Sequence, residues 1–331
     1  MKISVLGAGG WGTTLAVLLH YNGHNVTLWE YKSAYAKTLN KIRENKIYLP
    51  GIPIPPEIII THDLKLASQN QNMIVLAVPS QFLRHVLEEI PLSNIKNTII
   101  VNVAKGIETN TTFTMSKVLK NVIPSLSDDQ IGILSGPSHA EEVSRRIPTA
   151  VVSASKNKDT SKFIQSAFMN SYFRVYSSVD ILGVELGGAF KNVIAIGAGI
   201  IDGAKFGDNT KAAIMTRGIA EISRLGIAMG ALPETIAGLS GMGDLIVTCM
   251  SRHSRNRYVG EQIGAGKTLK QVLNSMDMVA EGIETSRSAS QLAKKYNVET
   301  PITFEVYNIL FEEKDPVTAT TDLMTRDMKM E

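Results

Sequence analysis

Two hydrophobic periods alternate through the first half of the chain. Short apolar runs at residues 3–6, 25–29, 73–78, 99–103, 131–134 and 150–152 have the length and density of strands buried on both faces. Residues 173–176 read as a last, edge strand. Between these runs the apolar positions switch to helical spacing, as at Leu15, Leu18 and Leu19. Strands alternating with helices predict a Rossmann-like, doubly wound, mostly parallel sheet. Residues 48–56 (Tyr-Leu-Pro-Gly-Ile-Pro-Ile-Pro-Pro) are expected to form a surface loop, because each proline removes a donor and fixes φ. After about Asp180 long helical patterns take over, at residues 184–201, 211–225 and 285–296. The expected organisation is a dinucleotide-binding domain over 1–179 and an all-helical C-terminal domain over 180–331.

Composition narrows the partners. The chain has 331 residues, is 44% hydrophobic and carries a formal net charge of +3 with acids and bases interspersed. It can bury a sizeable core, and nothing in it argues for nucleic acid. The lone Cys249 suits a reducing compartment, and six histidines, of which only His20 and His24 stand four apart, are not expected to form a zinc site with one cysteine. The apolar start after Lys2 is broken by four glycines between Gly7 and Gly12, so a signal peptide is not expected. No uninterrupted apolar run nears the ~20 residues needed to span a bilayer. The expectation is a soluble, cytoplasmic protein with no membrane span.

Gly7, Gly9 and Gly12 fit G-x-G-x-x-G, and this match follows a strand pattern and opens a helix pattern. In that setting Gly7 permits the tight turn, Gly9 lets the pyrophosphate approach backbone, and Gly12 allows close packing of a helix whose N-terminus attracts the anion. Glu30, at the end of the second strand, stands where an acid holds adenosine ribose hydroxyls, which leans the cofactor toward NAD; Lys32, two residues on, is placed to receive the extra phosphate of NADP. Gly264-Ala-Gly266-Lys267-Thr268 imitates the end of a phosphate loop, but Glu261 stands where the first glycine should be, so it reads as a loop between helices.

Two lysines carry the candidate chemistry. Lys105 follows the carboxyl end of a predicted parallel strand, where open sheets place ligands. Lys191 lies on a helix among the small residues Gly187, Gly188 and Ala195, which let another surface come close. Asp244 ends the glycine-rich stretch 238–244, with Thr248 four residues on and on the same face if a helix starts there. Ser254-Arg255-Asn256-Arg257 offers fork donors and amides suited to a phosphate monoester, although alone it also reads as a solvated basic patch. Gly136 and Ser138 follow another predicted strand, and Ser138 lacks the G-x-S-x-G frame of an activated nucleophile.

Taken in order, the stretches 7–12, 78–82 (Val-Pro-Ser-Gln-Phe), 105–108 (Lys-Gly-Ile-Glu), 135–141 (Ser-Gly-Pro-Ser-His-Ala-Glu), 185–199, 241–245 (Gly-Met-Gly-Asp-Leu) and 254–257 resemble the NAD(P)-dependent glycerol-3-phosphate dehydrogenase family of bacterial type. The resemblance spans nearly the whole chain. It implies that Lys191 is the proton donor or acceptor and that Lys105 contacts both substrate and cofactor, with Asp244 and Thr248 completing the site. By the same resemblance Gly136 and Ser138 touch substrate, and Ser254, Arg255 and Asn256 grip its phosphate. Gly10, Trp11, Tyr31, Phe82, Ala140, Arg255, Val279 and Glu281 would touch NAD or NADP. The implied reaction interconverts sn-glycerol 3-phosphate and dihydroxyacetone phosphate and feeds phospholipid synthesis. Glu30 departs from the basic or neutral residue common at that place in the family. A dehydrogenase for another small hydroxy acid or phosphate, and a nucleotide sensor without turnover, are the rival readings. Oligomeric state is not legible, and a homodimer is open.

Overall fold

Eight strands form one sheet in the computed structural model, which describes residues 1–276, 278–328 and 330. In chain order the strands are β1 (Lys2–Leu6), β2 (Asn25–Trp29), β3 (Glu44–Asn45), β4 (Leu49–Pro53), β5 (Ile59–Thr61), β6 (Met73–Leu76), β7 (Ile99–Asn102), β8 (Ile131–Ser135), β9 (Thr149–Ala154) and β10 (Phe173–Ser178). The main sheet runs β10-β9-β8-β7-β6-β1-β2-β5, with β3 and β4 paired apart as an antiparallel hairpin. All neighbours in the main sheet are parallel except β8 and β9. The segment β5-β2-β1-β6-β7-β8 has the strand order of a dinucleotide-binding sheet, reversing direction between β1 and β6.

Alternation along the strands explains why both faces are covered. Ile3, Val5, Met73, Val75 and Val101 point into one buried cluster, while Leu6, Ile74, Leu76, Ile100 and Ile133 point into the other. Strands with two apolar faces read as continuous apolar runs, which is how they were legible in the sequence.

One sequence expectation needs correction, and one strand went unmarked. Residues 48–56 are not simply a loop: Leu49–Pro53 is β4, and Leu49, Ile52 and Ile54 are buried. The prolines are accommodated because a two-stranded hairpin leaves one edge of each strand unpaired. β5 is only three residues long, too short for a periodic signal.

The chain divides into two units, one of Met1–Lys105 with Phe113–Glu185 and one of Gly106–Thr112 with Leu186–Glu331. Within the second unit, Ser288 on helix Glu281–Tyr296 donates to the Ile107 carbonyl at 3.3 Å, tying down the segment borrowed from earlier in the chain. Among the described residues no strand follows Ser178.

Helix Ile181–Gly203 has the length and hydropathy of a membrane span, and its most apolar window is wholly buried in protein. Counting uninterrupted apolar runs missed this, because Glu185, Lys191 and Asn192 break the run without abolishing its average hydropathy. Its close neighbour is helix Arg255–Gly264. A Cβ on Gly199 would overlap the Arg257 carbonyl oxygen, and one on Gly260 would overlap the Ile196 carbonyl oxygen. The two helices therefore touch backbone to backbone.

Glu221, on helix Asp208–Met229, is 2% exposed and accepts from Ile302 N at 2.7 Å, Thr303 N at 3.1 Å and Thr303 Oγ1 at 3.1 Å. It thereby holds the first turn of helix Pro301–Phe311. Burial outweighs these donors and pushes its carboxyl up to about 7. Between the ordinary value of 4.5 and about 7 the folded chain keeps a proton that the unfolded chain has released. Stability therefore falls as pH rises through that window. Glu221→Gln abolishes the titration, so the loss of urea stability between about pH 5 and about pH 7.5 should shrink by roughly 1–3 kcal/mol. An unaltered pH slope would count against a buried, titrating Glu221.

Candidate active site

In the first unit the glycine turn lies at the point where the strand order reverses. β1 ends at Leu6, and Gly7 N donates to the Trp29 carbonyl at 3.0 Å. Gly7 has φ of 113° and its missing Cβ would stand 2.7 Å from the Ala77 carbonyl oxygen, so only glycine fits. Gly12 is as tightly constrained, since a Cβ there would overlap the Gly7 carbonyl oxygen. Gly9 differs: nothing lies within 4 Å of its missing Cβ. Helix Gly10–Tyr21 starts there, and its N-cap, Gly9, supplies no side-chain bond to the first turn. Uncapped N–H groups at the mouth of a 12-residue helix, beside open space over a glycine, fit a pyrophosphate. Trp11 is half-buried on the first turn. Ala140 borders the same turn, its carbonyl accepting from Thr14 Oγ1 at 3.3 Å.

Glu30 is 8% exposed and accepts from Lys32 N at 2.9 Å, and burial raises its carboxyl above the ordinary range. Tyr31 and Phe82 are large apolar side chains left exposed, at 66% and 56%. Beyond the carboxyl ends of β7 and β8, Lys105 Nζ donates to the Gly136 carbonyl at 2.9 Å. Ser138 Oγ donates to the same oxygen at 2.9 Å. Gly136 has φ of 143° and turns the chain so that its carbonyl faces both. The three candidates, from two stretches of sequence, thus form one cluster in this unit.

In the second unit Lys191 is 5% exposed, Asp244 1% and Thr248 3%. Lys191 Nζ lies 2.6 Å from Asp244 Oδ1 and 2.7 Å from Thr248 Oγ1. Thr248 Oγ1 in turn donates to the Asp244 main-chain carbonyl at 2.6 Å. A π-helical turn, Leu239–Gly243, leads into helix Asp244–Met250, where Asp244 and Thr248 share a face at i and i+4. Small residues permit the approach: a Cβ on Gly187 would stand 2.8 Å from the Ser240 carbonyl oxygen. Cys249 next door is a bystander, since burial pushes its thiol up to about 12.

Asn256 is buried, donating from Nδ2 to Asn192 Oδ1 at 2.9 Å and accepting from Gly282 N at 2.9 Å. These bonds tie the start of helix Glu281–Tyr296, with Glu281 at its first position, to the residue beside Lys191. Val279 is 43% exposed just ahead of it. Ser254 caps helix Arg255–Gly264 by accepting from Arg257 N at 3.2 Å. Arg255, at the mouth of that helix, is exposed. Asn192 carries a positioning role that residue type alone did not signal, because a buried amide among small residues has no sequence pattern of its own. A cavity of about 670 Å³ elsewhere in this unit, lined by Ile200, Ile214, Glu221 and Val306, does not include Lys191 or Asp244.

A parallel sheet in this order, with an open glycine turn at its reversal point, defines a dinucleotide-binding protein. Family models agree: the N-terminal domain of NAD-dependent glycerol-3-phosphate dehydrogenase matches residues 2–161 and the C-terminal domain matches residues 180–321. A glycerol-3-phosphate dehydrogenase [NAD(P)+] of Chlorobium phaeobacteroides (strain BS1) is 53% identical over all of this chain and 99% of its own. The enzyme of the same name from Fusobacterium nucleatum is 51% identical over 100% and 98%. The crystal structure of glycerol-3-phosphate dehydrogenase from Coxiella burnetii superposes with a TM-score of 0.93 at 36% identity, covering 98% of this chain and 99% of that one. The chain belongs to the NAD-dependent glycerol-3-phosphate dehydrogenase family.

A buried ammonium depends on its counter-charge. Asp244→Ala should destabilise the protein by about 3 kcal/mol or more. The same change made on a Lys191→Met background should cost much less, because no charge is left stranded. Equal losses in both backgrounds, read from urea unfolding, would refute the pairing.

Proposed function

We propose that this chain interconverts sn-glycerol 3-phosphate and dihydroxyacetone phosphate using NAD or NADP, supplying glycerol 3-phosphate for phospholipid synthesis. The observation that carries the reading is the buried Lys191–Asp244–Thr248 cluster in a chain of this family. The nicotinamide, when bound, supplies or accepts the hydride at the substrate's central carbon. Lys191 gives a proton to the oxygen on that carbon during reduction and recovers it during oxidation. Asp244 holds the ammonium charged and oriented, and Thr248 fixes the third corner.

Lys105 stabilises developing negative charge on the oxygen and, with Gly136 and Ser138, contacts substrate at the carboxyl edge of the sheet. Arg255 binds the phosphate, which carries roughly −1.5 to −2 charges at neutral pH, assisted by Ser254 and Asn256. Gripping that remote group holds the reacting carbon in place. Gly7, Gly9, Gly10, Trp11 and Gly12 cradle the cofactor pyrophosphate. Tyr31, Phe82, Ala140, Val279 and Glu281 line the rest of the cofactor path. Glu30, buried where an acid meets adenosine ribose, favours NAD over NADP.

Adding dihydroxyacetone phosphate to protein and NADH should deplete the reduced-nicotinamide absorbance band; no depletion with NADH or NADPH would reject the reaction. Lys191→Ala should lower kcat by at least about a hundredfold while cofactor affinity stays near normal. Arg255→Ala removes a charged hydrogen bond and should lower kcat/KM for the phosphorylated substrate by about tenfold or more. Unchanged constants in either variant would remove that residue from the mechanism.

A further inference from the structure

One buried side chain in the first unit belongs to neither the glycine turn nor the substrate cluster, yet it touches the turn directly. Asn45, in the β3–β4 hairpin, is 0% exposed. Its Nδ2 donates to the Ala8 carbonyl at 2.7 Å and to Thr13 Oγ1 at 2.8 Å. Its Oδ1 accepts from Tyr35 Oη at 2.6 Å and from Tyr48 N at 3.1 Å. An amide has two hydrogens and two lone pairs, and all four are used. Chemistry fixes the orientation of the amide, because the Ala8 carbonyl can only accept and the Tyr48 N–H can only donate.

Ala8 is the residue between the first two glycines of the turn, and Thr13 lies on the first turn of the following helix. The hairpin that Asn45 anchors packs against the first turn of that helix: a Cβ on Gly10 would stand 2.6 Å from the Tyr48 carbonyl oxygen. Thr13 Oγ1 reaches the same Ala8 carbonyl at a longer 3.5 Å, and Gly9 provides no side-chain cap. We propose that Asn45 is a positioning residue for cofactor binding, locking the Ala8 peptide and the hairpin so that the N–H groups at the helix mouth stay aimed at the pyrophosphate. The inference rests on the dinucleotide reading of the turn.

Asn45→Asp keeps the shape and inverts one side of the chemistry. An ionised carboxylate has no hydrogen for the Ala8 carbonyl, so two acceptors face each other and the peptide is pushed from its place. A protonated carboxyl restores one donor. Binding of NADH to the full-length protein, followed by the nucleotide's fluorescence, separates the possibilities. Asn45→Asp should bind NADH about tenfold more weakly than the unsubstituted protein at about pH 8. The deficit should narrow as pH is lowered, because burial raises the new carboxyl above its ordinary range and it regains its proton. The loss should lie in KM for the cofactor, with kcat at saturating NADH within about twofold. A role limited to general stability would lower the melting temperature without this pH-dependent gap in affinity. Equal affinity at every pH, or a gap that ignores pH, overturns the inference. If Asn45→Asp does not fold, Tyr35→Phe takes its place. It removes one of the four bonds and should weaken NADH about threefold, and unchanged affinity there also overturns the inference. Failure of the unsubstituted protein to bind NADH or NADPH would instead reject the dinucleotide reading itself.

Discussion

A lysine ammonium held almost out of water is the constraint around which the second unit is arranged. Such a charge is tolerable only with a carboxylate in contact and further polar groups completing its shell. Asp244 and Thr248 satisfy this at 2.6 and 2.7 Å. The approach in turn demands that helix Ile181–Gly203 carry no side chain where the π-helical turn crosses it, and Gly187 meets that demand. The glycines at 199 and 260 extend the same logic further along the helix, allowing two backbones to touch. Packing and chemistry are therefore one problem here: the small residues that bring helices together also bring the acid to the base.

The first unit solves a different problem with similar means. Its glycine turn has to present bare N–H groups while staying rigid. Gly7 and Gly12 leave no room for a side chain, so the turn is wedged between β1, the helix and the Ala77 carbonyl. Gly9 alone faces open space. Rigidity beneath and vacancy above describe a cradle for an anion. The Lys105–Gly136–Ser138 cluster repeats the device at the next crossover, where a left-handed glycine aims a carbonyl at two donors.

The parallel sheet, the glycine turn and the switch to helices were legible because each has a periodic or positional signature. Seven of the strands are dense apolar runs, and G-x-G-x-x-G falls between a strand and a helix. The hairpin Leu49–Pro53 was not legible: its prolines argue against a strand, and only the partner segment Glu44–Asn45 makes it one. The span-like character of helix Ile181–Gly203 was hidden by its few polar residues, and only its burial inside the protein shows it to be a core helix.

Residue types and their order were enough to nominate Lys105, Lys191, Asp244 and Arg255, because buried-strand ends, small-residue helices and fork donors leave local marks. Distances between residues far apart in the chain leave none. The 53-residue gap between Lys191 and Asp244 closes to 2.6 Å only through helix packing. Asn45 and Asn192 carry no local mark at all, since an asparagine in a hairpin and one in a core helix read alike until distant partners, the Ala8 carbonyl and Asn256, meet their amides. Local chemistry is written in neighbours along the chain; the satisfaction of buried polar groups is written in neighbours through space.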